Sequence, residues 1–269
     1  MSEDKDTGTD QALGANLPSY RLDGRLALVT GASAGLGAAI AIGMAQAGAE
    51  VALMARSREG LERVATRIRA DGGRCTPIAC DVTDIPALRR AIAGLARLDV
   101  LVNNAGTNFP EPIVEVSDEH LDAMLALNVR SVYLAAQAAV RKMLEDPQRR
   151  ERGGVILNMS SQMGHVGSPN RTVYCMTKHA VEGLTKALAV ELAPQGIRVN
   201  SIAPTFVDTP LVRRVVDTPE RREFVLSRIP MGRLATLEEI VGAAVYLASP
   251  AASMVTGTSL VVDGGWTAQ

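Results

Sequence analysis

The stretch RTVYCMTKHAVEGLTKAL begins at Arg171 and places a phenol, Tyr174, four residues ahead of an ammonium, Lys178. The stretch reads as a helix, and on a helix residues four apart are neighbours. A free tyrosine has a pKa of about 10 and is a poor base at neutral pH. A nearby positive charge favours the phenolate, and bringing the phenol down to about 7 takes roughly 4 kcal/mol of differential stabilisation. Set in a partly desolvated site, such a pair moves a proton to or from an alcohol or carbonyl oxygen. Cys175 lies beside the tyrosine with no His or acid arranged to activate it, so it is read as a packing residue.

A second stretch, VTGASAGLGAAIA, follows an apolar strand-like run and opens a helical one. Gly31 permits a sharp strand-to-helix turn, Gly35 lets the backbone approach a pyrophosphate, and Gly37 lets helix and sheet pack closely. The helix N-terminus offers unpaired N–H groups and partial positive charge to phosphates. The spacing is G-x-x-x-G-x-G. Further along, a strand ends in VALMARSREG. In dinucleotide-binding folds this turn faces the adenosine ribose, and an acid there accepts hydrogen bonds from a 2′-hydroxyl. Here Ala55 stands at that place and Arg56 follows. A guanidinium holds a 2′-phosphate with two charge-assisted bonds, and Ser57 and Ser33 add hydroxyls. The turn predicts a preference for NADP(H), with NAD(H) remaining possible.

These groups need a scaffold. Short apolar runs recur at 25–30, 50–55, 74–80, 98–103, 154–159, 197–203 and 259–264, separated by longer helical patterns. Each run reads as apolar on both faces, as in a parallel sheet covered by helices. The alternation predicts an α/β fold: one doubly wound, Rossmann-type, seven-stranded parallel sheet flanked by helices on both faces. Residues 1–22 read as a flexible polar tail and 23–269 as a single catalytic domain. Of the 269 residues 47% are apolar and only 3% aromatic, so the core is aliphatic. The net charge of -1 gives no field for nucleic acid. No apolar run reaches the length of a membrane span, and the N-terminus lacks a secretory pattern. The three cysteines suit free thiols and no metal site. The expectation is a soluble cytoplasmic protein. QRRERGG, at 148–154, reads as a solvated basic loop.

Taken in order, TGASAGLG (30–37), NNAG (103–106), NMSS (158–161), YCMTK (174–178) and APTFVDTP (203–210) resemble the short-chain dehydrogenase/reductase family. The resemblance runs from about residue 22 to the end. It is nearest to ketoacyl-carrier-protein reductases and to sugar, polyol and carbonyl reductases. It implies a catalytic tetrad of Asn128, Ser161, Tyr174 and Lys178, with Ser161 preferred to Ser160 for its distance from the tyrosine. It implies that Asp81 and Val82 meet adenine and that Asn104, Ala105 and Gly106 line the adenosine side. Leu36, Pro204, Thr205, Val207 and Thr209 complete the expected cofactor contacts, with Tyr174 and Lys178. Thr205 departs from the family, which usually has glycine there.

The chemistry expected is hydride transfer between NADP(H) and a ketone or secondary alcohol. Tyr174 acts as acid or base, Ser161 positions the oxygen, Lys178 tunes the phenol and binds ribose, and Asn128 holds a relay water. An NAD-linked sugar or polyol dehydrogenase is the alternative, and a catalytically silent nucleotide sensor is the rival of another class. The substrate pocket is expected to draw on Asn108, Phe109, Gln162, Met163, His165, Arg171 and Phe206, beneath a mobile helical lid within 206–231. The helical stretches 117–146 and 171–193 and the last strand are expected to build a homotetramer.

Overall fold

The computed structural model describes residues 16–209, 212–213, 216 and 218–269. Seven strands form one sheet: β1 (Leu26–Thr30), β2 (Glu50–Ala55), β3 (Arg74–Ala79), β4 (Val100–Asn103), β5 (Gly154–Met159), β6 (Ile197–Pro204) and β7 (Ser259–Val262). All pairings are parallel, in the order β3-β2-β1-β4-β5-β6-β7. The helices are α1 (Gly35–Gln46), α2 (Arg58–Ala70), α3 (Ile85–Ala93), α4 (Asp118–Leu125), α5 (Ser131–Met143), α6 (Arg149–Arg152), α7 (Thr172–Leu192), α8 (Pro219–Leu226) and α9 (Leu237–Ala248).

Strand side chains alternate between two faces, so each strand feeds two cores. Ala27 and Val29 of β1 pack with Ile40 of α1, Leu61 of α2 and Ile240 of α9. Leu28, between them, joins Leu88 of α3, Ala139 of α5 and Leu192 of α7 on the other face. The order reverses between β1 and β4. Connections there leave in opposite directions and open a crevice at the carboxyl ends of the strands.

The expectation that every strand is apolar on both faces fails at the sheet's edges. In β3, Arg74, Thr76 and Ala79 are exposed, and no residue of β7 is fully buried. An outer strand has one neighbour and less helix above it; β3 also carries Pro77, whose missing N–H an edge tolerates. The expected tail is also too long. Leu22 is 1% exposed and its N–H donates to the Ala47 carbonyl, while the Ser19 carbonyl accepts from Ala251. Residues 1–15 lie outside the described residues.

Two further readings change. α4 continues through a π-helical turn, Ala126–Arg130, into α5. The resulting rod, Asp118–Met143, is the one helix among the described residues long and apolar enough to match a membrane span. Charged residues scattered along it hide the run in the sequence. Its alanines, Ala135, Ala136, Ala138 and Ala139, pack in the core against the sheet.

The basic segment at 148–154 is not a solvated loop at its start. Arg149 is 3% exposed and donates to the carbonyls of Met143, Leu98 and Gly153 and to Asp99 Oδ1 at 3.1 Å. Asp99, equally buried, also accepts from the Leu26 N–H at 2.8 Å and pairs with Arg97. The cluster ties the starts of β1, β4 and β5 together. Arg149→Met leaves three carbonyls and a buried carboxylate short of a donor, so urea denaturation should show a loss of about 3–5 kcal/mol. A loss below about 1 kcal/mol, the scale of an exposed pair, would show the cluster to be solvated in solution.

Candidate active site

The glycine turn follows β1. Gly31 has φ +68 and Gly35 φ +56, both in the left-handed region. A Cβ on Gly35 would meet nothing within 4 Å, so its backbone faces open space. A Cβ on Gly37 would strike the Gly31 carbonyl and the Asn104 amide. Gly37 therefore lets the turn close on itself and on Asn104, a closer contact than the helix–sheet packing expected. Asn104 Nδ2 donates to the Thr30 carbonyl at 2.9 Å, and Thr30 Oγ1 accepts from the N–H groups of Asn104 and Ala105. The β4 loop is thus anchored to the end of β1.

The start of α1 differs from those of five other helices, and shares its lack of a side-chain cap with α5, α6 and α7. α2, α3, α4, α8 and α9 are capped by the side chains of Ser57, Asp84, Ser117, Thr218 and Thr236. Ala34 caps α1 with no side-chain bond, and no acid lies in its first turn. Its first N–H groups and the positive end of its dipole are left for an anion. An open glycine and an uncapped helix fit a dinucleotide pyrophosphate.

From this turn a cleft of ≈ 950 Å³ extends across the sheet. Gly31, Gly35, Leu36, Gly37, Asn104, Ala105 and Gly106 line one end. Ser161, Tyr174 and Lys178 line it further along, with Pro204, Thr205, Val207 and Thr209 on the β6 side. Ser161 lies two residues beyond the end of β5 and caps the turn Gln162–Gly164; its Oγ accepts from the Met163 N–H at 3.2 Å and donates to Gln162 Oε1 at 2.7 Å. Tyr174 and Lys178 share a face of α7. Lys178 Nζ lies 5.5 Å from the phenol ring centroid and donates to the Met159 carbonyl at 2.8 Å.

The electrostatics reverse the expectation of an ammonium-lowered phenol. Burial pushes the Tyr174 pKa up to about 12, and the Ser161 hydroxyl and Arg171 charge beside it pull the other way by less. Burial pushes Lys178 down to about 8, opposed by the Glu182 carboxylate. Desolvation of each charged form outweighs the help each receives from its neighbours, Ser161 and Arg171 for the phenol and Glu182 for the ammonium. Ser161 is the serine beside the phenol, whereas the Ser160 hydroxyl is buried without a protein partner.

Asn128 lies behind the cleft, 1% exposed, in the π-helical turn. Its Nδ2 donates to the Thr107 carbonyl at 2.8 Å and to Thr177 Oγ1 at 3.2 Å, and its Oδ1 accepts from the Thr107 N–H at 2.9 Å. It clamps the β4 loop to α7. The π-turn rotates Asn128 inward, a recurrent use of such irregularities near functional sites.

Ser33, Arg56, Ser57, Asp81 and Val82 are not among the residues lining the cleft. They gather where β2 and β3 end. Ala55 is 8% exposed and Arg56 is exposed. Ser57 Oγ accepts from the Gly60 N–H at 3.1 Å. A Cβ on Gly60 would sit 2.8 Å from Ser33 Cβ, so this glycine, missed in the sequence, brings α2 against the glycine turn. Burial alone would raise the Asp81 carboxyl; hydrogen bonds from Thr83 and the charge of Arg56 outweigh it and hold it below the usual range.

On the substrate side Asn108, Gln162, Met163, Arg171 and Phe206 line the cleft. Phe109 and His165 do not. Phe109 stacks on His120 at 4.1 Å, and His165 bonds Ser259 Oγ at 2.9 Å and approaches Glu182 at 3.4 Å. Thr205 keeps the chain beside β7, its N–H donating to the Val262 carbonyl at 3.2 Å, and Val207 then bridges to Ala235. Of the expected lid, residues 210, 211, 214, 215 and 217 lie outside the described residues; α8 joins a small apolar cluster of Val225 and Ile229 with Phe206 and Trp266. Glu182 was missed, although its place one turn beyond Lys178 on α7 was legible. The Met159 and Thr107 backbones carry no such signal.

A family model described as Enoyl-(Acyl carrier protein) reductase matches residues 31–267. The D-threitol dehydrogenase of Mycolicibacterium smegmatis is 42% identical over 252 residues, 92% of this chain and 95% of that protein. The L-xylulose reductase of Bos taurus is 40% identical over 248 residues, 92% and 98% of the two chains. Among solved structures, a gluconate 5-dehydrogenase from Burkholderia cenocepacia, in complex with NADP and tartrate, is 35% identical with a TM-score of 0.88, over 94% of this chain and 99% of that one.

Proposed function

The chain belongs to the short-chain dehydrogenase/reductase family, whose members use NAD(P), and from that we propose that it is an NADP(H)-linked oxidoreductase interconverting a secondary alcohol and a ketone on a polyol or sugar. Its coarser class, an oxidoreductase of alcohol and carbonyl groups, follows from membership and from the relatives above. The observation that carries the finer reading is the convergence of Ser161, Tyr174 and Lys178 in one cleft with the open N-terminus of α1. The absence of an acid at Ala55 and the adjacent Arg56 support NADP(H) over NAD(H).

When bound, the nicotinamide supplies a hydride to the carbonyl carbon or takes one from the alcohol carbon. The glycine turn and α1 hold the pyrophosphate, and Arg56 with Ser57 and Ser33 holds the ribose 2′-phosphate. Asp81 and Val82 border the base, and Asn104, Ala105 and Gly106 the adjoining ribose. In reduction Tyr174 gives its proton to the developing alkoxide oxygen. Ser161 donates to the same oxygen and orients it. Lys178 places positive charge behind the phenol and binds the second ribose. Asn128 fixes the loop beside Lys178; the free lone pair on its Oδ1 accepts a relay water. In oxidation Tyr174 must first lose its own proton towards solvent, and its phenolate, the minor form at neutral pH, then takes the hydroxyl proton as the alcohol carbon gives up hydride.

The test is NADPH consumption with keto sugars, diketones, ketoesters and acetoacetyl thioesters, and NADP+ reduction with polyols. Tight NADPH binding without turnover across all of them would sink the enzymatic reading in favour of a nucleotide sensor. NADH used in preference to NADPH with a keto sugar would favour the NAD-linked polyol dehydrogenase, a reading the D-threitol relative keeps in view. The homotetramer is part of the proposal: Tyr133 of α5 and Met176 and Val190 of α7 expose apolar surface on the expected interface helices. Light scattering should give four chains, and a stable monomer at micromolar concentration would remove it.

A further inference from the structure

Among the described residues the cleft lining carries charge of one sign: it includes two cations, Lys178 and Arg171, and no Asp or Glu. Lys178 is already engaged behind the phenol. Arg171 precedes α7 and stands three residues before Tyr174. Among the described residues its guanidinium makes one hydrogen bond, from Nη1 to the Asn170 carbonyl at 3.2 Å, and no ion pair. The acid nearest along the opposing loop, Glu111, pairs through Oε1 with His120 Nδ1 at 2.7 Å, keeps Oε2 buried without a hydrogen-bond partner, forms no ion pair with Arg171, and does not line the cleft.

The backbone is built to hold the arginine there. Asn170 has φ +57 and is the one non-glycine in the left-handed region among the described residues. That conformation is tolerated best by Asn and recurs at ligand clamps. The Asn170 carbonyl is fixed from the other side by the Glu111 N–H at 3.0 Å. Arg171 is half-buried, and its charge is felt by the Tyr174 phenol. In the same cleft the Asn108 Oδ1 is buried with no protein donor. A half-buried cation without an acid, near the reacting phenol and accompanied by an orphaned acceptor, is matched by a ligand bearing both an anion and hydroxyl donors.

We propose that Arg171 binds an anionic group on the substrate, a carboxylate or a phosphate ester, and that Asn108 accepts from one of its hydroxyls. This rests on the oxidoreductase reading of the cleft and narrows it from neutral polyols to hydroxy acids, or phosphorylated polyols, and their keto counterparts.

The experiment compares kcat/KM, with NADP+, for D-gluconate, D-sorbitol 6-phosphate and neutral D-sorbitol in the parent, Arg171→Met and Arg171→Lys. The parent should favour at least one anion over sorbitol by roughly tenfold or more, and the better anion identifies carboxylate or phosphate. Arg171→Met should lower that anion-to-neutral ratio by roughly thirty-fold, and Arg171→Lys should restore part of it. As a readout without turnover, tartrate and inorganic phosphate are added to the NADP+ complex and the Tm is followed. The preferred anion should raise the Tm of the parent and not of Arg171→Met. An equal Tm rise with NADP+ alone in both would show that the variant is folded. A parent ratio near one, or a ratio and anion shift unchanged in Arg171→Met, would overturn the inference. If none of the three compounds turns over, the oxidoreductase reading of these substrates fails, and the anion-induced Tm shift still decides for or against the subsite.

Discussion

Tyr174→Phe is expected to lower kcat by about a thousand-fold or more and to leave NADPH affinity close to the parent's. Phenylalanine keeps the ring, so packing in the cleft is retained, and it removes only the group that carries the proton. General acid–base catalysis by a positioned side chain contributes roughly a hundred- to ten-thousand-fold. A variant keeping a tenth of the parent rate would show that another group moves the proton. Lys178→Ala should harm both rate and affinity, because Lys178 Nζ supports the phenol from 5.5 Å and is proposed to touch a ribose. The pH dependence follows from the same pair. With its pKa pushed up to about 12, Tyr174 is protonated throughout the neutral range and ready to donate. Lys178, pushed down to about 8, is charged below that pH and loses its charge above it. Reductive kcat/KM in the free enzyme should therefore be level below pH about 8 and fall above it. The oxidative direction gains from higher pH, since it must shed a proton. A reductive profile level well beyond pH 9 would show that the Lys178 charge is not needed.

Cofactor choice is expected to invert in an Ala55→Asp, Arg56→Leu double variant. In the parent, Arg56 is exposed where β2 meets α2, close enough to Asp81 to lower its pKa, and nothing acidic stands at position 55. A 2′-phosphate there gains charge-assisted hydrogen bonds worth about 1.5–3 kcal/mol, or roughly ten- to a hundred-fold. The double variant loses that and sets a carboxylate against the phosphate, while the same carboxylate accepts from a 2′-hydroxyl. The ratio of kcat/KM for NADPH over NADH should fall by about a hundred-fold or more. A parent that prefers NADH, or a double variant whose ratio does not move, would show that cofactor choice is made elsewhere. Tyr174→Phe and this double variant act at opposite ends of the bound dinucleotide and share no contact, so their effects should be separable.

What the sequence determined by itself is the part that depends on neighbours along the chain. The strand runs were legible to within two residues at either end, because an apolar β-rich run between helical patterns has few other places to go. The pairing of Tyr174 with Lys178 follows from helical pitch, and the positive φ of Gly31 from the turn it must make. Tertiary structure decided what depends on residues far apart in the chain. The clamp of Asn128 on Thr107 spans 21 positions, and the π-turn that aims it leaves no mark in composition. Phe109 and His165 are apolar and polar enough for a pocket, yet stacking on His120 and bonding to Ser259 take them out of it. Arg149 reads as one basic residue among several, and only the carbonyls of three segments converging on its guanidinium bury it. The direction of the Tyr174 shift was decided in the same way. Spacing places a cation near the phenol, but desolvation depends on everything packed around both groups, and there it wins.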